Sequence, residues 1–498
     1  MSTKDQFDLL PRLCPKTETK LLVVLVFTAI AGCSTMGYDS MMMSSLIAVE
    51  QFTGYFDVND VTMGLLNAGV WAGQMVACFF MAYVSDRFGR KKTILYSSIL
   101  SMIAVAIQTA SQNIGMFVFS RFLLGIGIIL SCSAGPVLIS ELAPPNIRGL
   151  LCGLYFCMFQ VGAIIATAVT YGTVNIDNTW AWRLPSLLQL VPSACVIALL
   201  PFTPESPRWK LMKGDVEYAT QVLRILSKNE EENIATVQEI QGALLFEQES
   251  AAAWREVLTF SKPMIRRFII GLSLAWLTEM GGSSVGSYYL TVLLKQAGIK
   301  SNDRVLQINM ISACWNLVVC VAGAFFFDKL GRKKQAFISL SGMIVCFLCL
   351  GGFIKKYSTS DNVHGQYATI FWMFLFNAFY AFCYTPLLDI YIPEIFPTRI
   401  RVKGLAIQRF FDSGFGLMAS FVLSIAMNRL GWKFYIINAC YDVLFLPIIY
   451  FIWVETKQLS LEQIGEKLGD VKIVDIEGAD SSSIGDLEQV SETVSLKK

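Results

Sequence analysis

The sequence predicts an all-α integral membrane protein of twelve transmembrane helices arranged as two six-helix bundles. Three observations carry this. Of 498 residues, 54% are hydrophobic and 16% charged, with a mean hydropathy of +0.53; a soluble chain would carry roughly a quarter of its residues as charges. The charges gather in tails and loops, leaving apolar stretches able to cross a hydrocarbon core of roughly 30 Å. Third, a signature occurs twice: Asp86-Arg87-Phe88-Gly89-Arg90-Lys91-Lys92 returns as Asp328-Lys329-Leu330-Gly331-Arg332-Lys333-Lys334, a displacement of 328 − 86 = 242 residues. Glu141 lies seven residues before Arg148, and Glu394 seven before Arg401, with Pro144 and Pro145 or Pro397 in between. Two related halves in one membrane chain are the mark of a carrier whose halves rock about a central site.

The apolar pattern places the spans at about 21–44, 62–84, 93–110, 116–139, 150–171, 184–202, 268–294, 306–327, 336–353, 367–391, 404–427 and 434–454. Span 1 follows a tail, 1–20, with Lys4, Arg12, Lys16 and Lys20. It is too long, and too polar at Tyr38-Asp39-Ser40, for a cleaved signal peptide, and stays as a membrane helix. The connections after spans 2, 4 and 8 carry Arg87, Arg90, Lys91, Lys92, Arg148, Lys329, Arg332, Lys333 and Lys334, whereas those after spans 1 and 3 carry no Lys or Arg. The positive-inside rule puts both termini and the even-numbered connections in the cytoplasm. Lys295, Lys300, Arg304, Lys355 and Lys356 weaken the bias in the second half without reversing it.

The expected units are therefore bundles at 21–202 and 264–454, joined by a charged linker, 203–263, and followed by a cytoplasmic tail, 455–498. In the linker, Ala219, Val222, Leu223, Leu226, Val237, Ile240, Leu244 and Leu245 recur among Glu and Lys, the pattern of short amphipathic helices, expected to lie on the cytoplasmic face. The tail from about 466, acidic and serine-rich, reads as disordered. Most cysteines sit inside apolar segments, and Cys346-Phe-Leu-Cys349 lies mid-span, so packing is expected rather than metal binding. A net charge of +2 gives no hint of nucleic acid. There is no P-loop and no HExxH, and the lone His364 falls in a loop. No enzyme, metal or cofactor is expected, so energy comes from gradients.

Two charges stand alone at membrane depth in the first half. Asp39, in span 1, costs several kcal/mol if ionised without a partner. Arg121, near the start of span 4, is the one candidate. Protonating Asp39 would release Arg121 and bias a two-state rocking; a merely structural ion pair is the alternative. Asp86 and Asp328 precede clustered cations, where each carboxylate is expected to hold an Arg of a neighbouring cytoplasmic helix end. Such pairs would latch the halves in the outward-open state. The alternative is that the cations only set topology or meet anionic lipid. Gln160, mid-span 5, offers donors and an acceptor to a hydroxylated ligand, or a helix–helix hydrogen bond.

The chain resembles the sugar porters of the major facilitator superfamily from Gly37 to Glu462. The resemblance rests on Gly37-Tyr38-Asp39, the doubled DRxGRKK loops, Arg121-Phe-Leu-Leu-Gly125-Ile-Gly127, Glu141-Leu-Ala-Pro-Pro-Asn-Ile-Arg148-Gly149 and Gln160. It continues through Trp182-Arg183-Leu184-Pro185, Pro204-Glu205-Ser206-Pro207-Arg208-Trp209, Tyr288-Tyr289, Pro393-Glu394-Ile-Phe-Pro397 with Arg401, and Glu455-Thr456-Lys457. Ser287-Tyr288-Tyr289-Leu290 and Thr385-Pro386-Leu387 are similar to the fungal lactose and cellodextrin permease branch. The resemblance implies a plasma-membrane symporter, working as a monomer on a small solute and protons. It implies coupling through Asp39 and Arg121, sugar contacts at Gln160, Tyr288 and Tyr289, and a cytoplasmic charge network. That network would comprise Asp86, Arg90, Glu141, Arg148, Glu205, Arg208, Asp328, Arg332, Glu394 and Arg401.

The chain departs from the family at the ligand positions. Where two glutamines and an asparagine are usual in span 7 stand Thr278, Glu279 and Ser283 or Ser284; the usual tryptophan of span 10 is Asp389, and an asparagine position in span 11 is Asp412. Arg409, three residues before Asp412, is placed to neutralise it on one helix face. Glu279 and Asp389 are expected to face the cavity, because an acid facing lipid is too costly. These changes leave three alternatives beside sugar import: a cationic solute, proton-driven export of a small fungal metabolite, and a non-transporting nutrient sensor.

Overall fold

The computed structural model describes residues 9–11, 13–144, 151, 154–226, 230–248, 261–282, 284–285, 290–296, 298, 301–357, 362–396, 401–457, 459 and 461–469. Among the described residues, eleven helices are long and apolar enough to cross a membrane. They correspond to spans 1–6 and 8–12. Span 7 is interrupted: one helix, Lys262–Glu279, ends at Met280, Gly282 turns the chain with φ +98°, and Leu290–Gln296 resumes. The unbroken helix expected over 268–294 is therefore corrected. A Cβ at residue 282 would collide with Phe347 and Phe376, so the break also presses the chain against spans 9 and 10.

Most spans run past their apolar limits because polar caps lie outside the hydrocarbon. Asn59 Oδ1 accepts hydrogen bonds from the Val61 and Thr62 amides at 3.1 and 3.0 Å, and the Asn59 amide donates to Thr62 Oγ1 at 2.7 Å. Asn113 caps span 4 through Met116, and Asn362 caps span 10 through His364. Each satisfies donors that the first helical turn leaves open. Span 6 is kinked at Gln189, between Trp180–Leu188 and Leu190–Leu199, and span 12 at Leu444, between Trp432–Val443 and Phe445–Phe451.

Within the first half, spans 1 and 5 pack backbone to backbone. A Cβ at Gly37 or Gly162 would overlap the main chain of Phe159 or Ser34, and small residues are what permits so close an approach. The halves meet along two antiparallel seams. Spans 2 and 11 touch at Gly64 with Phe421, Trp71 with Gly416 and Phe79 with Phe410. Spans 5 and 8 touch at Cys157 with Cys320 and Tyr171 with Gln307. The linker forms Pro207–Met212, Val216–Leu226 and Glu230–Gln248. Ala219, Val222, Leu223 and Val237 are buried there as the pattern predicts, while the side chains of Leu244 and Leu245 lie outside the described residues. The acidic tail from 470 onward also lies outside them.

Candidate functional site

Asp39 and Arg121 form a closed pair. Arg121 Nη1 donates to Asp39 Oδ1 at 2.8 Å and Nη2 to Oδ2 at 3.2 Å, with the side chains 1% and 0% exposed. The kink of span 6 brings Gln189 Nε2 to Asp39 Oδ1 at 3.1 Å, and Arg121 Nε reaches the Leu66 carbonyl at 2.6 Å. Four spans thus converge on one buried charge pair. Such a pair is costly to break on one side only.

Ser40, the neighbour of Asp39, lines a cavity between the halves that encloses about 990 Å³ free of protein atoms, part of it continuous with solvent. Gln160, Glu279, Ser284 and Asp412, all expected at a ligand site, face it. On its second-half wall, Thr278 Oγ1 donates to Asp412 Oδ1 at 2.8 Å, Arg409 Nη1 lies 3.8 Å from Asp412 Oδ2, and Ser284 Oγ donates to Glu279 Oε2 at 3.5 Å. Ser283, Tyr288 and Tyr289 lie outside the described residues, as does the side chain of Asp389.

The profile of the sugar (and other) transporter family matches residues 24–468. The chain belongs to that family. The carrier is 27% identical over 467 residues to the high-affinity glucose transporter of Kluyveromyces lactis, covering 89% of this chain and 84% of that one. It is 26% identical over 471 residues to the sugar transporter STL1 of Saccharomyces cerevisiae, covering 90% and 81%. Its fold superimposes on a proton:xylose symporter, XylE, bound to 6-bromo-6-deoxy-D-glucose, with TM-score 0.76, 24% identity and 91% and 100% of the two chains covered. It also superimposes on the inward-open xylose transporter XylE from E. coli, with TM-score 0.74, 24% identity and 90% and 99% covered. The chain is thus a multi-pass membrane carrier, not an enzyme.

Sequence reasoning missed Trp71, Gln74, Asn316, Asn377 and Tyr380 on the carrier's cavity wall. The amides had a signal: Gln74, Asn316 and Asn377 are uncharged polar residues deep in apolar spans, like the Gln160 that was singled out. It missed Glu455 as a network member too. Arg332 and Lys333 donate their amides to Glu455 at 2.8 and 3.2 Å, as Lys91 does to Glu205 at 3.0 Å.

The charge network forms, but differently from the expected latch. Asp86 pairs with Arg90 at 3.1 Å, four residues on across the Gly89 turn, and its side chain is 56% exposed. Two half-buried acids meet the arginines: Glu141 lies 3.7 Å from Arg90, and Glu394 lies 2.9 Å from Arg332. Arg208 is half-buried and adds positive charge near Glu141. Among the described residues, each ion pair joins residues of a single half. The physical reason is the glycine turn, which starts the next helix within reach of the same loop's carboxylate. Arg148 and the side chains of Asp328 and Arg401 lie outside the described residues. Hydrogen bonds between the halves occur at the opposite end: Thr291 to Ser44 at 2.6 Å, Asn302 to Glu50 at 3.1 Å and Gln307 to Tyr171 at 3.0 Å.

Proposed function

We propose that this chain is a secondary active carrier that moves a sugar or sugar-like solute across the plasma membrane with protons, by alternating access. The observation that carries the reading is the Asp39–Arg121 pair, buried one residue from the cavity-lining Ser40, so that a proton and a solute can act on the same helix. Gln160, Glu279, Ser284 and Asp412 are the proposed solute contacts, joined by Ser283, Tyr288, Tyr289 and Asp389. The bundles at 21–202 and 264–454 are the rocking units, 203–263 is a cytoplasmic linker, both termini are cytoplasmic, and a single chain suffices. The Arg90–Glu141 and Arg332–Glu394 pairs, with Glu205 and Glu455, act as a cytoplasmic belt that re-forms in each cycle. The relatives named for glucose and sugar favour this over the exporter and sensor readings.

Uptake of labelled glucose into proteoliposomes, with and without an inward proton gradient, tests the reading. Accumulation above the outside concentration that collapses with a protonophore is the expected result. Equilibration without accumulation would overturn proton coupling, and no uptake of any sugar would overturn the substrate class.

A further inference from the structure

Glu279 stands where the family resemblance implies a glutamine. An amide offers donors and an acceptor, whereas a carboxylate offers acceptors alone. The hydrogen bond described for this carboxylate, from Ser284 Oγ, is long at 3.5 Å. The same wall carries Asp412, whose oxygens meet Thr278 Oγ1 and Arg409 Nη1. Two carboxylates and one guanidinium leave a formal charge of −2 + 1 = −1 among the described lining residues. The facing wall is neutral: Ser40, Trp71, Gln74 and Gln160.

We propose that the cavity selects a hydroxylated solute bearing one ammonium group, an amino sugar or amino polyol, with the ammonium against Glu279 and Asp412 and the hydroxyls against Gln74 and Gln160. This rests on the sugar-carrier reading and deepens it. An ammonium supplies three donors and no acceptor, which complements an acceptor-rich wall. It also supplies the counter-charge that a carboxylate at membrane depth requires. Arg409 lies 3.8 Å from Asp412 Oδ2 and over the Phe156 ring, 5.5 Å from the centroid, so one guanidinium stands against two carboxylates. A neutral sugar would present hydroxyls to Glu279 but would leave the charge of the wall uncompensated. The two-sided wall further predicts orientation, with the amine towards the second half and the polyol face towards the first.

The test is ligand binding to the purified full chain, read by tryptophan fluorescence, with glucosamine, glucose and N-acetylglucosamine at a pH where the free amine is charged. N-acetylglucosamine keeps the nitrogen and loses the charge. Glucosamine is expected to bind at least about tenfold tighter than either neutral sugar, the scale of a close buried charge pair. Glu279→Gln should erase that preference, and Asp412→Asn should reduce it. Equal or tighter binding of glucose by the unmodified chain overturns the inference and leaves the sugar reading standing. A preference that survives Glu279→Gln overturns the role of Glu279. Binding of none of the three overturns both readings. The wild-type comparison needs no variant, so misfolding of a mutant cannot rescue the proposal.

Discussion

Glu205 and Glu455 hold equivalent posts in the two halves, each accepting hydrogen bonds from the backbone that opens the helix after a GRKK turn. Lys91 N lies 3.0 Å from Glu205 Oε1 and Arg332 N lies 2.8 Å from Glu455 Oε1. Their separation, 455 − 205 = 250 residues, falls between the 332 − 90 = 242 of the turns and the 394 − 141 = 253 of the half-buried acids Glu141 and Glu394. A carboxylate at a helix N-terminus satisfies open amides and meets the positive end of the helix dipole.

Glu205→Gln and Glu455→Gln should each weaken a helix start by about 0.5–1 kcal/mol, lowering the unfolding temperature by a few degrees while the protein still reaches the membrane. Initial uptake should slow rather than vanish, because the proposed ligand and proton sites are untouched. Thermal unfolding of the purified variants and uptake per surface copy check this. An unchanged unfolding temperature for both variants would remove the capping role.

Asp39→Asn should leave the protein folded and inserted but end accumulation against a gradient, with solute exchange retained. The amide keeps the shape of the protonated acid and can still accept from Arg121. The Arg121 charge then stays held by the Leu66 carbonyl, 2.6 Å from Nε, as it must be whenever Asp39 carries a proton. Counterflow and concentrative uptake measured side by side decide the matter. Concentrative uptake at the wild-type level would show that Asp39 is not the coupling group.

The repeat, the spans and the Asp39–Arg121 pair were legible because each leaves a one-dimensional trace: periodic turns, apolar runs, and two charges that only one another could compensate. The partners of Asp86 were not. Sequence shows that a carboxylate precedes cations, but the φ of +94° at Gly89 decides that the cation it meets is Arg90, four residues away. The break in span 7 was missed for another reason. Gly281-Gly282 and the serines after it are a turn signal, but the apolar stretches on either side outweighed it, and the turn packs against Phe347 and Phe376. Glu455 was visible as part of a motif, yet its bond to the Arg332 amide joins residues 123 positions apart in the chain.

Cys157 and Cys320 place their sulfurs 3.0 Å apart, one on each half, both fully buried. If spans 5 and 8 move against each other during transport, a covalent tie there should stop it. Treatment with copper phenanthroline, which oxidises two thiols to one disulfide, should abolish uptake, with recovery in dithiothreitol. Cys157→Ser should transport normally and resist the oxidant. Full uptake by a chain shown to carry the disulfide would mean that this seam is a fixed pivot.

Gly331→Ala should damage the carrier more than Gly431→Ala, although both glycines have positive φ, +88° and +54°. A backbone conformation of this kind costs a residue with a Cβ on the order of 1–3 kcal/mol. At residue 431 that strain is the whole cost, since an added Cβ meets nothing within 4 Å. At residue 331 the Cβ runs into the Glu455 carboxylate and would push it off the Arg332 and Lys333 amides. The penalties of Gly331→Ala and Glu455→Ala should therefore be less than additive, because the second substitution removes what the first displaces. Unfolding temperatures of the two single variants and the double variant measure the coupling. Additive losses would mean that the Cβ at residue 331 and the Glu455 carboxylate act independently, and that the belt tolerates the displaced carboxylate.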